Sequence, residues 1–379
     1  MNRVSCANIL ACSVVADLTK CPHQATSSTE RSSRSSFFDR ALRNIPLRRI
    51  NSESEAECKA EAFGATGLNL LHTPASETIV DIVFVHGLKG GSRQAWSYSS
   101  HPSHFWPKAW LPFHPELKHA RIHSYGYNCD WTVRGETPLS IHDFGQTLIE
   151  ILYHSSELRK DTTTKIVLVA HSMGGLVVKK AIIASRQNPT FHDLGQRIYA
   201  VFFFGTPHRG SDLATKLDNY LKATFHTPKN YVRDLFPGSE AINVLNEEFR
   251  NAYEGIKLYS FFETIPMPWQ FGSGLVVDRN SAILGMPQKW SECAWTLLIS
   301  PDWKGEHQIM IQADHRGMNK FAGPDDPEYL KVKECLSTVV QEIVQMGAPP
   351  GIILYLGASL TYFQPQTARP TVTRTTSAP

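Results

Sequence analysis

Short apolar, β-branched runs alternate along the chain with longer segments whose apolar positions recur every three or four residues. Thr78 to Val85, Ala120 to Tyr127, Lys165 to Val169, Ile198 to Phe204 and Ile256 to Phe262 read as strands, and Pro138 to Leu158 and Gly174 to Ser185 as helices. Ile198 to Phe204 is an uninterrupted apolar run, as expected of a central strand covered on both faces. Strand–helix alternation of this kind implies right-handed crossovers and a mostly parallel central sheet with helices on both faces. On this pattern residues 1–77 are a tail and linker, 78–345 one α/β domain, and 346–379 a short apolar run followed by a Thr/Pro-rich tail. Between Thr206 and Glu254 lies a long, Pro-containing excursion with Leu213, Leu217, Tyr220, Leu221, Phe225, Leu235, Phe236, Ile242, Leu245 and Phe249. It is expected either as a helical cap over the carboxyl edge of the sheet, at about 206–254, or as packing helices. Gly351 to Phe363 is apolar but short of the roughly 20 residues that span a bilayer, so it suggests at most a peripheral membrane contact.

One strand end carries chemistry. Lys165 to Val169 runs into Ala170-His171-Ser172-Met173-Gly174-Gly175, and a helix-forming run follows at once. This is the strand–turn–helix context of a nucleophile elbow, with Ser172 as the nucleophile. Such a turn holds a non-glycine residue in a strained backbone conformation, so the residues two before and two after it need very small side chains. Ala170 and Gly174 occupy those positions, alanine standing where glycine is usual. The plainer alternative is an ordinary βα turn with Ser172 capping the helix.

A serine nucleophile needs a base, and the base an orienting acid, in the chain order nucleophile, acid, base for this architecture. Both belong beyond the carboxyl ends of the strands. Among 16 histidines, His315 fits by order, lying in the polar loop Gln312 to Gly317 after the apolar Ile309 to Ile311. His171 precedes the nucleophile and is expected to point away from it; His208 sits in a turn. For the acid, Glu263 closes a strand and is favoured on that placement; Asp278, after Val276-Val277, is the alternative, and Asp314 ranks third. The backbone N–H groups of Met173, after the nucleophile, and of Leu88, after His86-Gly87, are the candidate oxyanion donors.

Composition narrows the field. With 42% hydrophobic and 19% charged residues, the chain of 379 residues is ordinary for a globular protein. The net charge of +3 is concentrated at the start: residues 1–50 hold eight Lys and Arg against three acids, leaving a slight negative excess for the body. The body therefore gives no electrostatic argument for nucleic acid. That Ser/Arg-rich start fits a mitochondrial transit peptide and equally a disordered basic tail. Seven cysteines at irregular spacing argue against a disulfide framework and for a reducing compartment. No Cys-x-x-Cys or His-Glu-x-x-His spacing occurs, so no metal is expected, and Gly87 to Ser92 lacks phosphate-loop spacing. No cofactor is called for by the proposed chemistry.

Several motifs fall in one order over about residues 78–342. They are Val85-His86-Gly87-Leu88, Trp106-Pro107-Lys108 with Leu111-Pro112, Tyr125-Gly126-Tyr127, Ala170 to Gly175, and Phe204 to Ser211. Phe262-Glu263-Thr264, Val276-Val277-Asp278 with Ser281-Ala282, and Ala313-Asp314-His315 complete the set. Together they resemble the lipase-like α/β hydrolases of the serine-active-site-containing protein type, a domain also found at the N-termini of fungal multidomain NACHT and ankyrin proteins. The resemblance implies an α/β-hydrolase fold and a serine hydrolase acting on ester bonds, of lipids above all, associated with mitochondria or the endoplasmic reticulum. In related lipases a Val-containing, Ser-Ala-type segment follows the acid, and Glu263 then Val276-Val277 and Ser281-Ala282 repeat that order with a longer gap. Residues 287–306 look like extra material before the His315 loop, where an insertion is expected to bear on the position of His315. Acyl transfer to an alcohol would use the same residues as hydrolysis, and an inactive interaction module of the same fold is the competing expectation.

Overall fold

Each of the five apolar runs forms a strand in the computed structural model, which describes residues 61–129, 138–212, 214–215, 229–269, 272–285 and 305–347. The strands are β1 (Gly67–His72), β2 (Val80–Val85), β3 (Ala120–Gly126), β4 (Lys165–His171), β5 (Ile198–Phe204), β6 (Lys257–Glu263), β7 (Met267–Trp269), β8 (Gly272–Gly274) and β9 (His307–Ile311). Among the described residues the main sheet has seven strands in the order β1-β3-β2-β4-β5-β6-β9. Only β1 is antiparallel to its neighbour, and β7 and β8 form a separate hairpin.

Alternate side chains divide the core into two layers, because successive strand residues face opposite sides. Val83, Val85, Leu168, Ala170, Val201 and Phe203 face α1 (Ile141–His154), α2 (Met173–Gln187) and α3 (Glu240–Ala252). Ile82, Phe84, Val167, Val169, Phe202 and Phe204 face a layer built from Trp96, Trp106 and the helix α4 (Pro327–Gly347), through Tyr329, Val332, Leu336 and Val339. At the amino end of the strands the buried Asp81 carboxylate accepts from Arg121 Nε at 2.6 Å, His123 Nε2 at 3.0 Å and Thr164 Oγ1 at 2.8 Å. Burial opposes that charge, but the hydrogen bonds outweigh it and hold the carboxyl below its usual range.

The structure departs from the sequence reading in two places. Gly67–His72, inside the segment read as a linker, is a strand on the sheet edge. Its half-buried residues lack the clean alternation of a one-sided strand, which is why the pattern misses it. The expected helix Pro138 to Leu158 breaks at Ser155: α1 begins after Ser140, whose side chain forms a capping box with Asp143, and Ser155 caps a separate turn, Ser156–Lys160. In the excursion after Thr206, the packing reading holds for Ile242, Leu245 and Phe249, which bury the inner side of α3 in the core. Leu213, Leu217, Tyr220, Leu221 and Phe225 lie outside the described residues, as do the first 60 residues, the Gly351 to Phe363 run and nearly all of the 287–306 segment.

Candidate active site

The carboxyl edge of the sheet is where the predicted residues meet. Ser172 leaves β4 with φ 55° and ψ −128°, a left-handed conformation for a residue with a side chain. Its N–H donates to the Phe204 carbonyl at 2.8 Å, tying the turn to the end of β5. A Cβ on Gly174 would fall 2.4 Å from the His86 carbonyl oxygen, and one on Gly87 would fall 2.7 Å from the Ser172 Cβ. The turn therefore closes only with glycine at both positions. The hydroxyl makes no capping hydrogen bond to α2, so the plain helix-cap alternative does not describe this serine.

Register brings the other two side chains to it. Glu263 pairs with Ile311 across β6 and β9, and the N–H groups of Thr264 and Ile265 both donate to the Ala313 carbonyl, at 3.2 and 3.1 Å. That strap delivers His315 to Ser172: Nε2 lies 3.0 Å from the serine Oγ, and Nδ1 lies 2.6 Å from Glu263 Oε2. A carboxylate only accepts, so Nδ1 carries the proton and Nε2 presents its lone pair to the hydroxyl. Glu263 is 1% exposed and His315 7%. The second carboxylate oxygen, Oε1, accepts from the N–H groups of Val276 and Val277, so the acid is fixed at both oxygens.

Asp278 is not brought to the histidine. It is exposed and caps the short helical turn Arg279–Ala282, Oδ1 accepting from the Asn280 and Ser281 N–H groups at 2.8 and 3.2 Å. Asp314 likewise caps its own turn through the N–H groups of Arg316 and Gly317. The extra segment before the loop leaves His315 within reach of Ser172, and its last residue, Glu306, accepts from the Leu284 and Gly285 N–H groups at 2.8 and 3.1 Å.

The two candidate oxyanion donors, the N–H groups of Met173 and Leu88, belong to segments that adjoin the serine. Met173 opens α2, where the first N–H groups have no intrahelical acceptor, and Leu88 follows the glycine that packs on the Ser172 Cβ. His86 shapes the Leu88 turn. Its Nε2 accepts from the Tyr127 N–H at 3.1 Å, so its Nδ1–H donates to the Gly87 carbonyl at 2.9 Å. The Tyr127 hydroxyl donates to the His86 carbonyl at 2.7 Å, and the two rings stack at 4.4 Å. Burial lowers the His86 pKa to about 4, leaving the ring neutral at neutral pH.

Three supporting residues escape the sequence reading. His86 is visible only as a motif letter. Gly205, at φ 52°, leaves no room for a side chain, since a Cβ would lie 2.8 Å from Met318 Sδ and 3.0 Å from the His315 ring. His171 does not point away from the site: its Nε2 lies 2.8 Å from the His315 carbonyl oxygen. The contact joins residues 144 positions apart, which no local pattern encodes.

Residues 78–260 match the PGAP1-like alpha/beta domain, over the strands that carry Ser172 and end just before Glu263. The chain carries a lipase-like α/β-hydrolase domain. This hydrolase domain is 28% identical over 234 residues to Protein SERAC1 of Bos taurus, covering 54% of this chain and 34% of that protein. It is 27% identical over 269 residues to Protein SERAC1 of Homo sapiens, covering 63% and 39%. The chain thus spans well under half the length of these relatives. A Bacillus licheniformis lipase, BlEst2 in its mature form, superposes with a TM-score of 0.46 at 17% identity, covering 71% of this chain and 97% of that one. Among the described residues of the hydrolase domain no helix is long and apolar enough to cross a membrane, and no group of three or more His, Cys, Asp or Glu is placed to hold a metal.

Proposed function

We propose that the protein is a serine carboxylic-ester hydrolase that works through an acyl-enzyme on Ser172. Ser172 Oγ attacks the acyl carbonyl while its proton passes to His315 Nε2, and Glu263 holds the ring in the required tautomer and stabilises the imidazolium. The Leu88 and Met173 N–H groups receive the negative charge that develops on the carbonyl oxygen; one such donor is typically worth about 3–4 kcal/mol of transition-state stabilisation. Collapse expels the alcohol, which takes the proton from His315. Water then repeats the sequence and releases the acid.

The observation that carries this reading is the unbroken line from Ser172 Oγ through both ring nitrogens to Glu263, at 3.0 and 2.6 Å, ending on a serine with positive φ. A fold kept only as an interaction module has no need of such a line, and substitutions there would be tolerated. The same groups serve transfer of the acyl chain to an alcohol, so lipid hydrolysis and transacylation are arms of one mechanism. A lipid ester is the proposed substrate class, and attachment to a mitochondrial or endoplasmic-reticulum membrane the proposed setting, by the resemblance to the SERAC1 proteins. The test is turnover of p-nitrophenyl esters from acetate to palmitate. Activity lost in Ser172→Ala supports the reading, and activity that survives in that variant overturns it.

A further inference from the structure

His171 lies beside the reacting groups without touching them. It ends β4, is bonded through its peptide to Ser172, and turns its ring onto the backbone of His315. The His315 carbonyl oxygen can only accept, so the His171 Nε2 must carry a hydrogen and the neutral ring must have its free lone pair on Nδ1. The two imidazoles lie 5.0 Å apart, centroid to centroid, inclined at 40°.

We infer that His171 is a positioning residue for His315, a neutral imidazole whose Nε2–H fixes the base loop to the strand that carries the nucleophile. The inference rests on the serine-hydrolase reading above. Among the described residues the backbone of the loop is otherwise tied to the Glu263 side, by the strap at Ala313, while the His315 ring itself spans from Glu263 to Ser172. His171 supplies a backbone tie on the Ser172 side, so a side chain from the nucleophile's own turn helps to hold the ring at 3.0 Å from Oγ. Neutrality matters as much as the hydrogen bond, because a proton arrives on His315 at each turnover and a second cation 5 Å away would oppose it. Burial, the neighbouring His315, Lys320 and His86 all act to keep His171 uncharged, driving its pKa well below the ordinary range, against the opposing hydrogen bond to the His315 carbonyl.

Two measurements test this. The first uses the unmodified full chain and ¹⁵N-resolved imidazole spectra: His171 is expected as the neutral Nε2–H tautomer across about pH 6–8. An Nδ1–H tautomer, or a ring that protonates within that range, would overturn the inference whether or not the protein is an enzyme. The second compares His171→Phe with His171→Gln, whose amide can place a donor near the same point. A displaced base costs between tenfold and about a hundredfold in rate, so His171→Phe is expected to lower kcat, and the rate of fluorophosphonate labelling at Ser172, by at least tenfold with KM within about twofold. His171→Gln is expected to recover most of that loss. Equal losses in both variants, tracking a common fall in Tm, would mark His171 as packing alone. Unchanged rates in a folded His171→Phe protein would also exclude the role. Absence of Ser172 labelling in the wild type would instead remove the hydrolase reading and leave the tautomer result standing.

Discussion

Replacing Glu263 by glutamine removes one charge and almost no volume, and the surroundings decide which way the new amide turns. Oε1 accepts from two buried N–H groups, those of Val276 and Val277, while Oε2 accepts from His315 Nδ1. If the glutamine keeps its carbonyl toward the valines, its NH₂ faces Nδ1 and forces the proton onto Nε2, where the ring can donate to Ser172 but cannot accept from it. If it flips to restore the productive tautomer, the NH₂ meets two N–H donors and both are left unsatisfied. Each buried unpaired donor costs about 1–3 kcal/mol, so the productive form lies roughly 4 kcal/mol uphill. At 1.36 kcal/mol per decade that is on the order of a thousandfold in rate. The assay is hydrolysis of a short p-nitrophenyl ester alongside the rate of fluorophosphonate labelling, with Tm as the control for folding. Asp278→Asn, which alters only a helical-turn cap, is expected to stay within about threefold of wild type. A Glu263→Gln enzyme within tenfold of wild type, or a collapse of activity in Asp278→Asn instead, would refute the assignment of the acid.

Other expectations follow from the same geometry. Gly205→Ala places a side chain at φ 52°, at a backbone cost of about 1–2 kcal/mol, and pushes it onto His315. Its labelling rate should fall by more than that stability loss explains, and a variant that is destabilised but labels normally would contradict the packing argument. Lys179 is buried, donates to Asn246 and lies 5.0 Å from the centre of the Phe249 ring, and burial lowers its pKa to about 7. Between pH 7 and its ordinary value of 10.5 the unfolded chain holds the extra proton, so stability rises with pH across that window. The stability difference between Lys179→Met and wild type should therefore move in the variant's favour by about 5 kcal/mol between pH 10.5 and a pH below 7; a difference independent of pH in urea titrations would count against the lowered pKa of Lys179. His86 gives the same sign in a lower window. Its stabilisation is complete above the unfolded value of 6.5 and is lost as pH falls toward about 4. The urea midpoint should drop between pH 6.5 and 4.5, and a flat midpoint there would contradict a buried neutral ring.

The parts of this architecture that local pattern encodes were legible in the chain. The β4–α2 turn announces itself because an apolar run must stop at a residue flanked by almost no side chain, and Ala170 and Gly174 are visible as letters. Placing Glu263 at the edge needed only the end of an apolar strand; what the letters could not supply was the register with β9, which sets Glu263 beside the loop that carries His315. Asp278 stood as the alternative in sequence because a carboxylate after two valines gives no sign that it will cap the turn that follows. The edge strand Gly67–His72 stayed hidden because its six residues are only partly covered. His171 and Gly205 owe their places to contacts between distant loops, and the place of His171 just before the nucleophile alone led to the expectation that its ring would turn away.

The most direct measurement of the central claim is active-site labelling of the full chain with a fluorophosphonate, followed by peptide mapping, in wild type and Ser172→Ala. A single modified site at Ser172, abolished in a Ser172→Ala protein of unchanged Tm and accompanied by loss of p-nitrophenyl ester turnover, is the expected result. Folded wild-type protein that takes no label and turns over no ester in the series, or label that persists in Ser172→Ala, would contradict it.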